Sequence, residues 1–320
     1  MKSRISIWIL LSVLCSLGCI EGTAQTCCSA GAQLSNMITI NSGSNRSIAL
    51  NVGYEYKGIN LLIDNGERLT NDPRSRYGQN VAFKLDYILN EKWALSTIIP
   101  IIHQSRSTTS ITESTLGIGD VTVIGQYSLL TGKDMRIAIA GGVQLPLGIT
   151  SHRNALQILM SPDMQSGSGT YDFMSSINFG KSHFLIPFLG LNLEVLYRNN
   201  TVNDSFGATD TFNGRMFGFG DEVITAAVLN YLWVLESGFL SSDVGLKYRH
   251  ASANIENGVN APNSGGHWLS LPLGLSLQSN ESTTTRIYSE IPLYQQLEGL
   301  QITTSFTIGV QVRYLINTSL

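Results

Sequence analysis

The C-terminal stretch F-T-I-G-V-Q-V-R-Y-L-I, from Phe306 to Ile316, alternates apolar residues with small or polar ones. Successive side chains of an extended strand point to opposite faces, so this stretch has one apolar face and one face of Thr, Gly, Gln and Arg. Segments Asn80–Leu89 and Gly266–Gln278 show the same alternation. A period of two indicates strands, because an amphipathic helix would repeat about every 3.6 residues.

About twelve such segments can be placed along the chain, which predicts an all-β protein. The predicted strands are 46–63, 76–89, 93–104, 117–130, 135–147, 168–180, 184–198, 214–235, 238–250, 266–278, 284–296 and 300–316. Segment 214–235 is long for one strand and apolar on both faces, so it has room for a bulge or a short helix.

The connections between these segments alternate in length. Short links such as 90–92 and 131–134 are followed by long polar ones. The long connections are 64–75, 105–116, 148–167, 199–213 and 251–265, and the sixth on that side, near 297–299, is short. This alternation is typical of outer-membrane barrels. We therefore predict an antiparallel transmembrane β-barrel of about twelve strands, with short periplasmic turns, long extracellular loops and both chain ends on the periplasmic side.

The N-terminus predicts export from the cytoplasm. Lys2 and Arg4 precede the apolar stretch 5–20, as in a secretory signal peptide. About 16 apolar residues fall short of the roughly 20 that a transmembrane helix needs. A lipoprotein signal ending at Cys19 is the alternative, although Ser16 stands where that signal usually has Leu. The predicted domains are a signal peptide at 1–24, a periplasmic N-terminal segment at 25–45 and the barrel at 46–320.

Composition favours a membrane barrel over a soluble β-sandwich or a lipocalin-like barrel. Charged residues make up 13% of the chain, roughly half the usual share, so little surface is suited to water. No segment after the signal has the 18 or so apolar residues of a membrane helix. Aromatic residues near segment ends would form interfacial girdles. They are Tyr54, Tyr56, Trp93, Tyr127, Trp233, Tyr248, Trp268, Tyr288, Tyr294 and Tyr314.

Two cysteines, Cys27 and Cys28, remain once the signal peptide is removed. A disulfide between neighbouring residues is strained, so free thiols, an intermolecular link or a small metal site all stay open. The simplest interpretation is an N-terminal tail that carries two thiols.

Charged residues recur on the face of the strands that would point into the barrel. These candidate lumen-lining residues are Lys84, Asp86, Asp120, Arg136, Asp172, Glu194, Arg198, Asp243, Lys247, Arg249, Glu290 and Arg313. Both signs occur, so many would pair across neighbouring strands and fill much of a narrow interior. The same groups could instead line a polar path for a solute, and the two roles are compatible.

Three short motifs resemble the outer-membrane family named for the meta-pathway of phenol degradation. They are A-L-S-T-I-I-P at 94–100, G-I-G-D at 117–120 followed by V-Q-L-P-L-G at 143–148, and G-S-G-T-Y-D at 167–172. The two glycine-rich motifs would bend the backbone at the barrel rim and aim Asp120 and Asp172 inward. A ligand-lining role for these two carboxylates is the alternative.

The resemblance extends over roughly 76–320, and the vicinal cysteine pair is similar to that of Bacteroidetes-type members. It departs from the family pattern after Gly148, where Ile149 and Thr150 replace a longer acidic loop, and at Leu320, where an aromatic residue is usual. The resemblance implies an outer-membrane transporter for small, aromatic or otherwise hydrophobic molecules, and it leaves the solute open.

Two alternatives to transport through the lumen remain. The first is a structural or adhesive barrel with a plugged lumen and binding loops. The second is an outer-membrane lipid hydrolase, which needs a Ser activated by a His. His103, His250 and His267 lie at predicted outer strand ends, but no hydrolase motif accompanies them. We therefore expect a non-enzymatic protein.

The sequence also limits the partners. No motif predicts a metal or another cofactor, and a net charge of −3 gives no reason to expect nucleic acid. The expected partners are outer-membrane lipid, a small-molecule solute and the barrel-assembly machinery.

Overall fold

The computed structural model describes residues 46–64, 67–70, 74–108, 111–209 and 213–317. The predicted signal peptide at 1–24, the predicted N-terminal segment at 25–45 and its two cysteines, Cys27 and Cys28, lie outside the described residues.

Twelve antiparallel strands form a closed barrel. They are β1 (Ser47–Ile59), β2 (Ser75–Ile88), β3 (Trp93–Ser107), β4 (Val121–Thr131), β5 (Met135–Leu145), β6 (Asp172–Lys181), β7 (Leu189–Asn199), β8 (Glu222–Leu235), β9 (Gly238–Ala251), β10 (Gly266–Gln278), β11 (Thr283–Leu297) and β12 (Phe306–Asn317). Each strand pairs with the next, and β12 pairs with β1. The predicted fold class, with short periplasmic turns and long extracellular loops, is confirmed.

Residue burial alternates along the strands as the sequence predicts. In β1, Leu50 and Val52 are 46% and 45% exposed. Asn51, which lies between them, is 3% exposed, and Glu55, further along the same inner face, is 5% exposed. The apolar outer face is suited to lipid, and the polar inner face fills the lumen. Trp93 and Tyr314 are about half exposed near strand ends, as interfacial residues would be.

Two residues assigned to the aromatic girdle face the lumen instead. Trp268 is 9% exposed and Tyr288 is 5% exposed, and both lie in register with inward-facing neighbours. Position near a segment end does not determine which face a residue occupies. The two-residue period of β10 and β11 is the better guide.

The long segment 214–235 divides into two strands. Arg215–Gly218 pairs with Val202–Phe206 and Ile255–Glu256 in a small extracellular sheet, and β8 begins only at Glu222. A second small sheet joins Leu61–Asp64 to Gln301–Thr303. The predicted loop 105–116 is mostly a hairpin, because β3 continues to Ser107 and pairs with Thr112–Ile118.

Among the described residues, no helix is long and apolar enough to cross a membrane. In the ranges that the structure describes, the one helical element is a single 3₁₀ turn, Pro162–Met164, within the connection between β5 and β6.

Candidate functional site

The lumen contains three groups of buried charges. In the first, Lys84 Nζ lies 3.1 Å from Asp86 Oδ1, and Asn51 Nδ2 donates to Asp86 Oδ2 at 3.1 Å. Asn51 stands in register between Lys84 on β2 and Arg313 on β12, so these residues line neighbouring strands. Lys84 and Asp86 are only 4% and 2% exposed. The charges thus stabilise each other in a desolvated position.

The second group lies near the extracellular ends of β7 to β10. Glu222 contacts Arg198 at 3.6 Å and accepts a hydrogen bond from Arg249. The guanidinium carbon of Arg249 also lies 4.5 Å from the ring centroid of Trp268, a cation–π geometry. Because Trp268 faces inward, it contacts the charged Arg249 and also packs against apolar residues at the mouth.

The third group extends from β9 to β11. Lys247 Nζ lies 2.8 Å from Glu290 Oε2, and Ser270 Oγ donates to the same carboxylate at 2.8 Å. Arg286 pairs with Asp243 at 3.1 Å. These pairs neutralise charge locally along this side of the wall.

Asp120 and Asp172 hold a loop instead of projecting freely into the lumen. Asp120 accepts hydrogen bonds from Gly148 N at 2.9 Å, from Ser168 N at 2.7 Å and from Ser168 Oγ at 2.8 Å. Gln144 Nε2 adds a fourth at 3.1 Å. Asp172 accepts from Thr170 Oγ1 at 2.8 Å and from Thr201 N at 3.0 Å. The two carboxylates therefore close the base of the connection between β5 and β6.

The glycines beside these carboxylates are required by close backbone approach. A Cβ added to Gly148 would lie 2.6 Å from the Cα of Gly167, and one added to Gly167 would lie 2.6 Å from the carbonyl carbon of Gly148. Only glycine tolerates such contact. The motifs V-Q-L-P-L-G and G-S-G-T-Y-D thus bring the two ends of one loop into backbone contact.

The last part of that loop, residues 160–166, is folded back into the extracellular mouth, and we call the whole loop, residues 149–166, the infolded segment. Met164, Gln165 and Ser166 are 0% exposed. Arg76 on the inner face of β2 forms an ion pair with Asp163, and Gln104 Nε2 on β3 donates to Gln165 O at 3.1 Å. The prediction of a long extracellular loop at 148–167 holds for its place in the chain. The buried, inward course of residues 160–166 was not predicted.

Electrostatics fix the ionisation of the infolded segment. Burial alone would raise the pKa of Asp163, but the Arg76 guanidinium beside it outweighs burial, helped by Ser161 and Arg106, and lowers that pKa. Burial lowers the pKa of His152. The segment is therefore held with Asp163 ionised and His152 neutral at physiological pH.

Sequence reasoning missed Arg76 and Gln104, which anchor the infolded segment. A signal was present, because Arg76 has the same parity as Lys84 on β2 and so belongs to the inward face. Two predicted residues remain, Arg136 and Glu194. Arg136 lies near the periplasmic end of β5, where its guanidinium donates to Ser128 Oγ at 3.3 Å. Glu194 lies on β7 opposite Ala226 of β8.

A belt of apolar side chains interrupts the polar lining. It consists of inward residues on β2, β3, β4, β6, β7 and β11, with Ala140 on β5 and Ile224 on β8 packed against it. Its buried members are Ala82, Ile88, Ala94, Ile98, Ile124, Met174, Leu196 and Tyr288. Barrel lumens that conduct hydrophilic solutes are polar, so this belt is an unusual lining.

The histidines do not form a hydrolytic site in the described part of the chain. His250 and His267 stack at 4.5 Å between ring centroids, and His267 Nδ1 shares a hydrogen bond with Tyr248 at 2.7 Å. A Ser–His contact does occur in the infolded segment, where His152 Nε2 and Ser166 Oγ are 3.0 Å apart. Ser166 is fully buried, so a lipid carbonyl cannot reach it.

Comparisons with known proteins support the fold. No protein-family model matches the sequence, and no curated protein matches it. Among solved structures, the chain is similar to an outer membrane channel from Pseudomonas putida F1, with a TM-score of 0.70 and 14% identity over 89% of this chain and 100% of that one.

A weaker likeness is to the beta domain of the Bordetella autotransporter Brka, with a TM-score of 0.49 and 10% identity over 85% of this chain and 100% of that one. The chain is also similar to a Pseudomonas aeruginosa FadL homologue, with a TM-score of 0.39 and 10% identity over 92% of this chain and 99% of that one. The closed barrel and its apolar outer face place the protein in the outer membrane.

Proposed function

We propose that this barrel is an outer-membrane channel or transporter for small molecules with apolar character. The observation that carries the proposal is the apolar belt, whose side chains pack together inside the barrel where a channel for hydrophilic solutes has polar ones. The residues around it are charged, but the charges are paired within the wall, as in Lys247–Glu290 and Arg286–Asp243. Paired charges attract a free ion less strongly than single ones do.

The twelve predicted inward charges are part of this proposal in two different roles. Asp120 and Asp172 shape the mouth by holding the infolded segment. The others, including Lys84 and Arg313, line the wall along which a solute would pass. The resemblance to the family of the meta-pathway of phenol degradation agrees with a hydrophobic cargo.

Conductance and uptake together test the proposal. Purified protein in planar bilayers is expected to give small, reproducible current steps. Cells that lack the gene are expected to take up small hydrophobic solutes more slowly, and the full-length gene should restore uptake. A silent bilayer combined with unchanged uptake would exclude transport.

A specific observation favours a second candidate, the barrel with a plugged lumen. The infolded segment enters the mouth and is anchored to β2 by Arg76 and to β3 by Gln104. If this segment blocks the lumen permanently, deletion of residues 150–165 should increase the bilayer current. The current should stay unchanged only if the lumen is also blocked at another place. A current that appears on deletion would identify the segment as the plug.

A further inference from the structure

The strand that is apolar on both faces, β8, leads to a second feature of the lumen. Its outward face meets lipid, but its inward residues Ile224, Ala226 and Val228 are also apolar. They line a cavity of about 80 Å³ together with Leu196 of β7 and Pro272 of β10. An apolar inward face on a membrane strand has no role in lipid contact, so its role must lie inside the barrel.

Small residues create the space. Ala226 stands in register between Glu194 on β7 and Lys247 on β9, so two long side chains flank a short one. Gly274 of β10 is the second small residue, and it stands in register with Asp243 of β9. A Cβ there would lie 2.8 Å from Asp243 Oδ2 and 3.0 Å from Arg286 Nη2, so glycine lets that ion pair close over the backbone.

The cavity is lined by two acidic residues, Glu194 and Asp243, and two basic residues, Lys247 and Arg286. Each of the four already interacts with another group of the protein. Lys247 and Arg286 each have a carboxylate within 3.1 Å, at Glu290 and Asp243 respectively. A ligand with a net charge would lose its hydration here without gaining an uncompensated counterion. An uncharged ligand could still hydrogen-bond to the polar atoms of these groups.

We propose that this cavity is a binding site for a small uncharged amphiphile, with its apolar body against β8 and a hydroxyl or carbonyl group facing the Asp243–Arg286 pair. The site deepens the proposed transport function by naming a class of solute and where it rests in the lumen. Its occupancy does not depend on whether the mouth is open at a given moment, so binding can be measured without transport.

The test uses the full-length protein in lipid nanodiscs and three probes that share one apolar chain: 1-pentanol, pentanoate and pentylammonium. Saturation-transfer NMR reports binding, and Ala226→Trp fills the cavity. Ala227→Trp is the matched control, since Ala227 is the next residue of β8 and faces lipid. Because the nanodiscs are identical, probe that dissolves in lipid contributes equally to every sample.

We expect pentanol to bind the wild type at least about tenfold better than Ala226→Trp, while Ala227→Trp matches the wild type. Ala226→Leu should give an intermediate loss, and it guards against misfolding of the larger variant, which circular dichroism would show. Equal pentanol signals in the wild type and both Ala226 variants would overturn the site.

Charge substitutions test the uncharged head group. Arg286→Gln removes one positive charge from the lining and leaves Asp243 without its cation, so it should raise pentylammonium binding relative to pentanol about fivefold. Asp243→Asn should do the same for pentanoate. Wild-type binding of either ion as tight as that of pentanol would overturn the proposed ligand class. Failure of transport in the bilayer and uptake assays would leave these binding results unaffected, so the two proposals can fail separately.

Discussion

The two sides of the lumen use buried charge in different ways. On the side of β2 to β5, Arg76 and Asp120 bind one segment of the chain and hold it inside the mouth. On the side of β7 to β11, Lys247 and Arg286 pair with residues of the wall itself and leave a cavity. Inward charges therefore have two different roles. A charge whose partner lies on the loop holds that loop in place, and a charge whose partner lies on a strand neutralises the wall.

The largest expected effect concerns the base of the infolded segment. Asp120→Ala would leave four donors without their acceptor, two of them backbone N–H groups. We expect the free energy of unfolding to fall by about 3 kcal/mol, because each stranded buried donor is costly. Urea unfolding in lipid vesicles measures this. Asp134→Ala, in a periplasmic turn, is the control, and a loss below about 1 kcal/mol would contradict this role of Asp120.

The next effect concerns the opposite wall. Lys247→Met leaves the partly buried Glu290 without its cation, and we expect a loss of about 2 kcal/mol in the same unfolding assay. Glu290→Gln added to that variant should restore most of the stability, since the orphaned charge is then gone. The control is Lys181→Met at the exposed end of β6. If the double variant is no more stable than the single one, the pair does not act within the wall as described.

A third effect concerns the anchor of the infolded segment on the side of β2 to β5, and it is measured as a change in current. Arg76→Met removes the ion pair with Asp163 and the hydrogen bond to Gln104, so the infolded segment should leave the mouth more often. We expect unitary conductance to rise roughly twofold, because conductance follows the narrowest section of a pore. Arg136→Met makes the same change near the periplasmic end and should leave the conductance near that of the wild type. Equal increases in both variants would contradict a specific anchor.

The smallest expected effect is a response to pH. The pKa of His152 is lowered by burial, so its stabilisation is complete above its unfolded pKa of about 6.5 and declines as pH falls below that value. The pKa of Asp163 is also lowered, so its ion pair is complete above about pH 4 and is lost only in stronger acid. Between pH 7.5 and 5, His152 alone should loosen the segment.

Single-channel recording at these two pH values measures that response. We expect the current to rise by less than about twofold on acidification, since His152 is partly exposed. His152→Asn should abolish the change, while His183→Asn, in a periplasmic turn, should preserve it. A response that persists in His152→Asn would assign the pH dependence to another group.

Much of the fold could be predicted from sequence because it depends on local patterns. The two-residue period of Phe306–Ile316 reports a strand with one face in lipid, and the alternation of connection lengths reports how strands follow one another. The strand limits near 215 were wrong for a physical reason. Phe217 packs with Phe206 and Phe219 in an extracellular cluster, so apolar residues there signal loop packing instead of membrane contact.

The sequence by itself determined the barrel and the two-residue period of its strands, since these follow from the alternation of apolar and polar residues. Only the tertiary structure decided the partners. Arg76 and Asp163 are 87 positions apart, and Tyr288 and Glu55 are 233 apart, so no local pattern joins them. Closure of the barrel brings such residues together, and that closure decides which inward charges hold the infolded segment and which surround the cavity.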